Sequence, residues 1–257
     1  MTDEFQQLTA AARQLLAIEN LLGGDYVPAE RNPLPEIEIA AVSAPAGASD
    51  LSELSPDEKA AALAELNDSE VAMCTRCVLS RSRTNTVFGE ANHNADLVFV
   101  GEAPGQEEDL SGRPFVGRAG ELLGKMIAAM GLTREDVFIC NVVKCRPPNN
   151  RTPAPEEVAA CWNYLVRQLQ IIRPRCIVTL GNPATKALLD TRTGITRMRG
   201  NFHPLPAIGE GLEGIPVMPT FHPAYVLRQY TQQNRRMVWS DLQQVMQLLE
   251  LPEPKKP

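Results

Sequence analysis

Four short apolar runs alternate with amphipathic stretches along the second part of the chain, and this alternation is its main structural signal. Leu97–Gly101, Val137–Val143, Cys176–Gly181 and Ile215–Thr220 read as buried strands, while Ala119–Met130, Pro155–Ile172, Pro183–Leu189 and Arg235–Leu249 read as helices. Pro155 suits a first helical turn and is followed by the acidic pair Glu156 and Glu157, which favours a helix start there. Strand and helix in repeated succession build βαβ units. The expected fold is therefore α/β: three-layer α/β/α with a short, mainly parallel central sheet. No internal repeat is evident.

The pattern changes towards the amino terminus. Leu8, Ala11, Ala12, Leu15, Leu16, Leu21 and Leu22 mark an amphipathic helix over residues 4–22, within an extension spanning 1–24. Residues 25–67 read as a Pro/Ala-rich acidic linker, whose stretch from Val27 to Asp50 has too little apolar surface to fold alone. A short helix from Pro56 to Leu66, with Ser55 as N-cap, closes that linker. The compact domain is expected over 68–250, beginning near Asp68, with 251–257 as a tail.

Charge follows the same division. Residues 1–73 hold 3 Lys/Arg against 14 Asp/Glu, a net of −11, and residues 74–257 hold 22 against 17, a net of +5, which together give the chain's −6. The acidic balance thus covers a mildly basic body able to meet a polyanion. No apolar run reaches about 18 residues and no signal-peptide pattern is present, so neither a membrane span nor secretion is expected, and a cytoplasmic setting is.

The candidate chemistry lies where strands end. Gly101-Glu102-Ala103-Pro104-Gly105 closes one apolar run and Phe221-His222-Pro223-Ala224-Tyr225 follows another. In an open parallel sheet the carboxyl ends of strands border one crevice, so Glu102 and His222 are expected to face one pocket. A second constellation is Cys74-Thr75-Arg76-Cys77 with Cys145 and Cys161; 67 residues separate Cys77 from Cys145 and 15 separate Cys145 from Cys161. Four thiolates suit a [4Fe–4S] cluster or a tetrahedral zinc, and spacing does not choose between them. Cys140 and Cys176 fall within strands and read as core.

Several segments in order resemble the iron–sulfur uracil-DNA glycosylases of family 4. They are Cys74–Cys77, Val87-Phe88-Gly89-Glu90, the GEAPG segment with Glu107-Glu108-Asp109, Gly112-Arg113-Pro114-Phe115-Val116-Gly117, Asn141-Val142-Val143-Lys144-Cys145-Arg146-Pro147-Pro148, Cys161, and the run from His222 to Arg228. The resemblance covers about Cys74 to Leu249 and leaves the amino-terminal 70 or so residues outside it. It implies a [4Fe–4S] cluster on Cys74, Cys77, Cys145 and Cys161, removal of uracil from DNA to leave an abasic site, and use at the nucleoid of a prokaryote.

Excision makes a cationic sugar and a uracil anion, and the base must first leave the duplex. On this reading Phe115 is the stacking platform, and the Asn141 amide offers an acceptor for N3–H and a donor for O4. His222 reaches uracil O2 as a neutral donor or as an imidazolium, and Glu102 orients water or stabilises the cation. Ala103 stands beside the base where the best-known uracil glycosylases carry Asp, which leaves the water-activating group open. Glu108 is expected to crowd uracil C5 against thymine. Backbone N–H groups around Ala103 and Gly105 are candidates to meet a phosphate. Val226 and Leu227 are candidate wedges, and Arg228, Arg146, Arg151 and Lys144 candidate phosphate contacts. The cluster is expected to be structural, pinning the loop after Asn141.

Rival readings leave fewer residues explained. A superfamily branch that traps the sugar on a loop histidine is disfavoured, since Pro147 to Thr152 and Pro153 contain none. A nucleotide hydrolase would need a Lys-Ser/Thr phosphate loop, which is absent. A non-catalytic iron–sulfur DNA-binding module of the same fold is the alternative, and Glu102, Asn141 and His222 together argue against it. The expected state is a monomer, and the amino-terminal helix and tether are expected either to hold a repair or replication protein or to pack back on the body.

Overall fold

The computed structural model describes residues 54–252. The helix expected at 4–22, the tether from Val27 to Asp50 and residues 253–257 of the tail lie outside the described residues. The strands are β1 (Glu90–Ala91), β2 (Leu97–Gly101), β3 (Phe138–Asn141), β4 (Cys176–Leu180), β5 (His203–Pro204) and β6 (Pro216–Thr220). They form one sheet in the order β1-β3-β2-β4-β6-β5. The four inner strands are parallel, and the two-residue strands at each edge pair antiparallel.

Every residue of β2, β3 and β4 is buried, because helices cover both faces and no strand face is left to water. The two-residue period sends alternate side chains into two separate cores. Val98, Val100, Phe138, Ile177 and Val217 meet Leu63, Leu66, Tyr164, Leu165 and Leu169 on one face. Those partners come from α1 (Pro56–Leu66) and, after the short α2 (Gln106–Ser111) and α3 (Arg118–Ala129), from α4 (Pro155–Ile172). Leu97, Phe99, Ile139, Val178 and Met218 meet Leu123, Ile127, Leu242 and Val245 on the other. That face is covered by α3 and by the last helix; α5 (Asn182–Leu188), α6 (Ile195–Met198), α7 (Pro223–Arg228) and α8 (Gln232–Leu248) complete the set. The three-layer α/β/α architecture is as the pattern implied.

Two of the boundaries that differ from the sequence reading have a visible cause. The first helix begins where expected: Ser55 Oγ accepts the Glu58 N–H at 3.3 Å and the Ser55 N–H donates back to Glu58 at 2.8 Å. Its Leu63 and Leu66 are sunk in the first core, so the packed body reaches back to Pro56 rather than starting near Asp68. Strand β3 ends at Asn141, two residues short of the apolar run, because the Lys144 main chain turns away to Val87 and Cys161. Helices α2, α6 and α7, of 6, 4 and 6 residues, were not read from the sequence; such lengths show no helical period.

Candidate active site and cysteine centre

Strand register brings the main site together. Gly101 and Asn141, the last residues of β2 and β3, are paired neighbours, with Gly181 following β4 and His222 following β6. This is the carboxyl edge of the sheet, where chain order reverses from β3 to β4 on opposite sides of β2. Gly101 matters for what it lacks. A Cβ there would lie 2.3 Å from Asn141 Oδ1 and 2.6 Å from the Phe115 ring, so the missing side chain is the space in which those two groups meet. Asn141 is 1% exposed, and its Oδ1 has no hydrogen-bond partner. A buried acceptor in that state costs about 1–3 kcal/mol unless a donor is supplied. The ring of Phe115 lies 5.7 Å from that of His222, tilted by 30°.

Phe115 holds a left-handed backbone (φ 51°), a strained state for a bulky residue that persists only where its surroundings impose it. Both sides of its loop are held. Glu108 Oε1 accepts the N–H groups of Val116 and Gly117 at 3.0 and 3.1 Å, while its Oε2 accepts that of Gly105 at 3.0 Å. Arg134 donates to the carbonyls of Pro114 and Phe115 at 2.8 and 3.1 Å, and to Glu90 at 2.7 Å. The Gly105 N–H expected to meet a phosphate is therefore engaged by Glu108.

His222 caps α7, its Nδ1 accepting the Ala224 N–H at 3.0 Å. The neutral ring thus carries its proton on Nε2, where it can donate. Burial, aided by the charge of Arg228 and opposed by that of Glu108, lowers its pKa to about 4, so the neutral donor is the form present at pH 7. Gly181 (φ 88°) leaves room for the ring; a Cβ there would lie 2.9 Å from His222 Cβ. Two residues before His222, Thr220 donates to Asp241 at 2.6 Å, and Asp241 also receives Arg199 at 2.5 and 3.1 Å. Glu102 is half-buried; desolvation raises its pKa, opposed by the Thr152 hydroxyl. Ala103 packs beside the first core.

The four predicted cysteines converge elsewhere. Cys74, Cys77, Cys145 and Cys161 line one cavity of about 290 Å3, its solvent-open part included, together with Arg76, Arg83 and Lys144. Arg83 donates to Cys145 Sγ at 3.2 Å, and the Lys144 N–H to Cys161 Sγ at 3.3 Å. Burial raises the Cys145 thiol and pushes Cys161 up to about 11. Among the described residues no three Cys, His, Asp or Glu side chains gather tightly enough around one point to hold a single ion. Cys140 and Cys176 are buried in the strands, as expected.

Other expectations require correction. Val226 is 3% exposed inside the second core and is no wedge in this conformation, whereas Leu227 is half-buried beside it and Arg228 is exposed. Lys144 is wholly buried and reaches no phosphate. Arg151 is committed to Glu157 at 2.6 and 2.8 Å, whereas Arg146 donates only its Nε–H to Asn150, at 2.7 Å, and keeps its place as a candidate phosphate contact. Gly101, Gly181, Arg134 and Asp241 were not singled out from the sequence. For the glycines the signal was present, since each directly follows or closes an apolar run.

A family model described as the uracil DNA glycosylase superfamily matches residues 88–243, the span that contains β2 to β6 and every residue of the pocket. The chain belongs to that superfamily. Within it, a type-4 uracil-DNA glycosylase of Thermotoga maritima is 49% identical over 189 residues, covering 73% of this chain and 95% of that protein. Type-4 uracil-DNA glycosylases of Archaeoglobus fulgidus and Saccharolobus solfataricus are 46% and 45% identical, covering 72% and 70% of this chain and 92% and 83% of theirs. The superfamily match stops short of Cys74 and Cys77, so the cysteine centre straddles its boundary.

Proposed function

We propose that this chain is a uracil-DNA glycosylase of the type-4 kind, which takes uracil out of DNA and hydrolyses its N-glycosidic bond to leave an abasic site. The observation that carries this reading is the unpartnered Asn141 Oδ1, sealed between Gly101 and Phe115. It is an acceptor waiting for a donor, beside an aromatic face and a neutral imidazole N–H. Uracil supplies the complement. Its N3–H goes to Asn141 Oδ1, its O4 accepts from Asn141 Nδ2, its O2 accepts from His222 Nε2, and its face stacks on Phe115. Cytosine carries a lone pair at N3 and a donor at C4, the reverse order, and is refused.

As the N1–C1′ bond lengthens, its electron pair goes to the base, and the His222 N–H stabilises charge growing on O2. Glu102, in its carboxylate form, faces the positive sugar and directs a water oxygen to C1′, and the proton that water sheds passes to the departing uracil anion. Glu108 takes the C5 side of the base, where a carboxylate fixed by three N–H groups would turn away the methyl of thymine. Arg228 and Arg146 contact phosphates, and Leu227 follows the flipped base into the gap.

Cys74, Cys77, Cys145 and Cys161 are the residues that would hold a [4Fe–4S] cluster. The donor set fits: four thiols line one cavity, a set that suits a cluster as it would suit zinc, with Arg76, Arg83 and Lys144 beside it to offset an anionic centre. When bound, the group supplies a cross-link between the segment at Cys74–Cys77, the loop after β3 and helix α4. The test is uracil release from an oligonucleotide, with a thymine control, alongside an absorbance spectrum. Release with a broad band near ~400 nm, as iron–sulfur centres give, supports both parts. A folded, coloured protein without release favours the non-catalytic DNA-binding module.

A further inference from the structure

The buried Lys144 stands between the two sites. Its Nζ donates to the Asn141 main-chain carbonyl at 2.8 Å and to Gln168 Oε1 at 2.5 Å, and Gln168 in turn donates to the Phe88 carbonyl at 2.9 Å. Its N–H meets Cys161 Sγ and its carbonyl accepts the Val87 N–H at 2.7 Å. One residue therefore ties the end of β3, helix α4 and the segment before β1 together. Both Lys144 and Gln168 are fully buried, and neither acceptor on Nζ is a carboxylate. Lys144 also lines the cysteine cavity beside Cys145 and Cys161, so it borders both sites.

We propose that Lys144 is a positioning residue that fixes the Asn141 main chain, and so its base-reading amide, against the cysteine centre. The inference rests on the reading of Asn141 as the uracil-recognition residue. The cysteines then serve recognition as well as folding: the centre anchors the lysine, and the lysine anchors the strand end on which the amide is carried. Asn141 has no side-chain bond of its own at Oδ1, so its aim depends on the backbone that Lys144 holds.

The experiment compares wild type with Lys144→Met, measuring iron per chain, affinity for a uracil-free oligonucleotide, inhibition by free uracil, and the ratio of uracil to cytosine release. The expected result is near-normal iron and DNA affinity, with uracil inhibition weakened about tenfold, as loss of one buried hydrogen bond implies, and a lower uracil-to-cytosine ratio. Lys144→Met that keeps its iron and reads uracil as wild type does overturns the proposal. So does a parallel loss of DNA affinity and uracil binding, which marks a general structural role. Should that variant not fold, Gln168→Met keeps the lysine and removes one Nζ acceptor; it is expected to weaken uracil inhibition in the same direction, and unchanged inhibition overturns the proposal. Wild-type protein that neither releases nor binds uracil refutes the functional reading itself, before any variant is compared.

Discussion

A single added carbon at Gly101 would close the pocket. The position sits where two strand ends and an aromatic loop converge, and its vacant side-chain volume is already occupied by Asn141 Oδ1 and the Phe115 ring. Gly101→Ala is expected to fold, since the residue ends a strand whose other members are untouched, but to reduce uracil release at least about 100-fold by displacing the groups that orient the base. Single-turnover rates beside thermal unfolding separate the two effects; a variant with wild-type rates would show that Asn141 and Phe115 do not need to meet there. The two titrating residues set a second expectation. His222 stays neutral down to about 4, while Glu102 is raised by burial above its ordinary value. On the proposed mechanism activity needs Glu102 charged and His222 neutral, so it is expected to be lost as pH falls through the raised pKa of Glu102. Glu102→Gln should lower the rate about 100-fold or more and remove that acid limb. A wild-type limb near the ordinary histidine range that vanishes in His222→Asn would refute this assignment. Stability also falls as pH drops from 6.5 towards about 4, because the unfolded imidazole takes up its proton first.

Between residues and fold stands the loop joining α2 to α3. Its Phe115 is kept in a left-handed backbone by donors and acceptors from outside the loop: Glu108 for the N–H groups after it, Arg134 for the carbonyls at and before it. Arg134→Met leaves two carbonyls and part of Glu90 without their donor. It is expected to cost about 1–3 kcal/mol of stability and to raise KM for uracil-containing DNA as the platform relaxes. Arg113→Met removes an exposed partner of the same Glu90 and should cost no more than about 1 kcal/mol, so equal losses in the two variants would refute the clamp. This loop also shows what could be read in advance. Gly112-Arg113-Pro114 and Val116-Gly117 announce a loop presenting Phe115, because glycine and proline act locally. The clamp could not be read, because Arg134 arrives from beyond α3. Lys144 was misread for a related reason: a charged residue next to a Cys and an Arg suggests surface, and only packing reveals that α4 and β3 enclose it. Val226 likewise belongs to a helix too short to show which of its faces is buried. Strands and long helices were legible since period and apolar content decide them, whereas contacts between elements were not.

At the scale of the molecule, residues distant in sequence fix the last strand end. Arg199, Thr220 and Asp241 come from the segment after α6, the end of β6 and the middle of α8, and meet in one buried cluster. Arg199 also lies over the Phe221 ring, 5.4 Å from its centre. The cluster therefore grips both residues that precede His222. Asp241→Asn removes the charge that compensates a largely buried guanidinium and is expected to cost about 3–5 kcal/mol, read as a lower thermal midpoint. Replacing the whole cluster by apolar groups of similar shape, with Arg199→Met, Thr220→Val and Asp241→Leu together, removes the uncompensated charge and should return much of that stability. Turnover distinguishes the cluster's two tasks. If it also aims His222, the triple variant regains its midpoint yet stays slower than wild type, because apolar contacts do not reproduce the directional bonds that set the strand end. A triple variant with both midpoint and rate restored would mean that the cluster holds the fold alone, and that His222 owes its position to Gly181 and the first turn of α7.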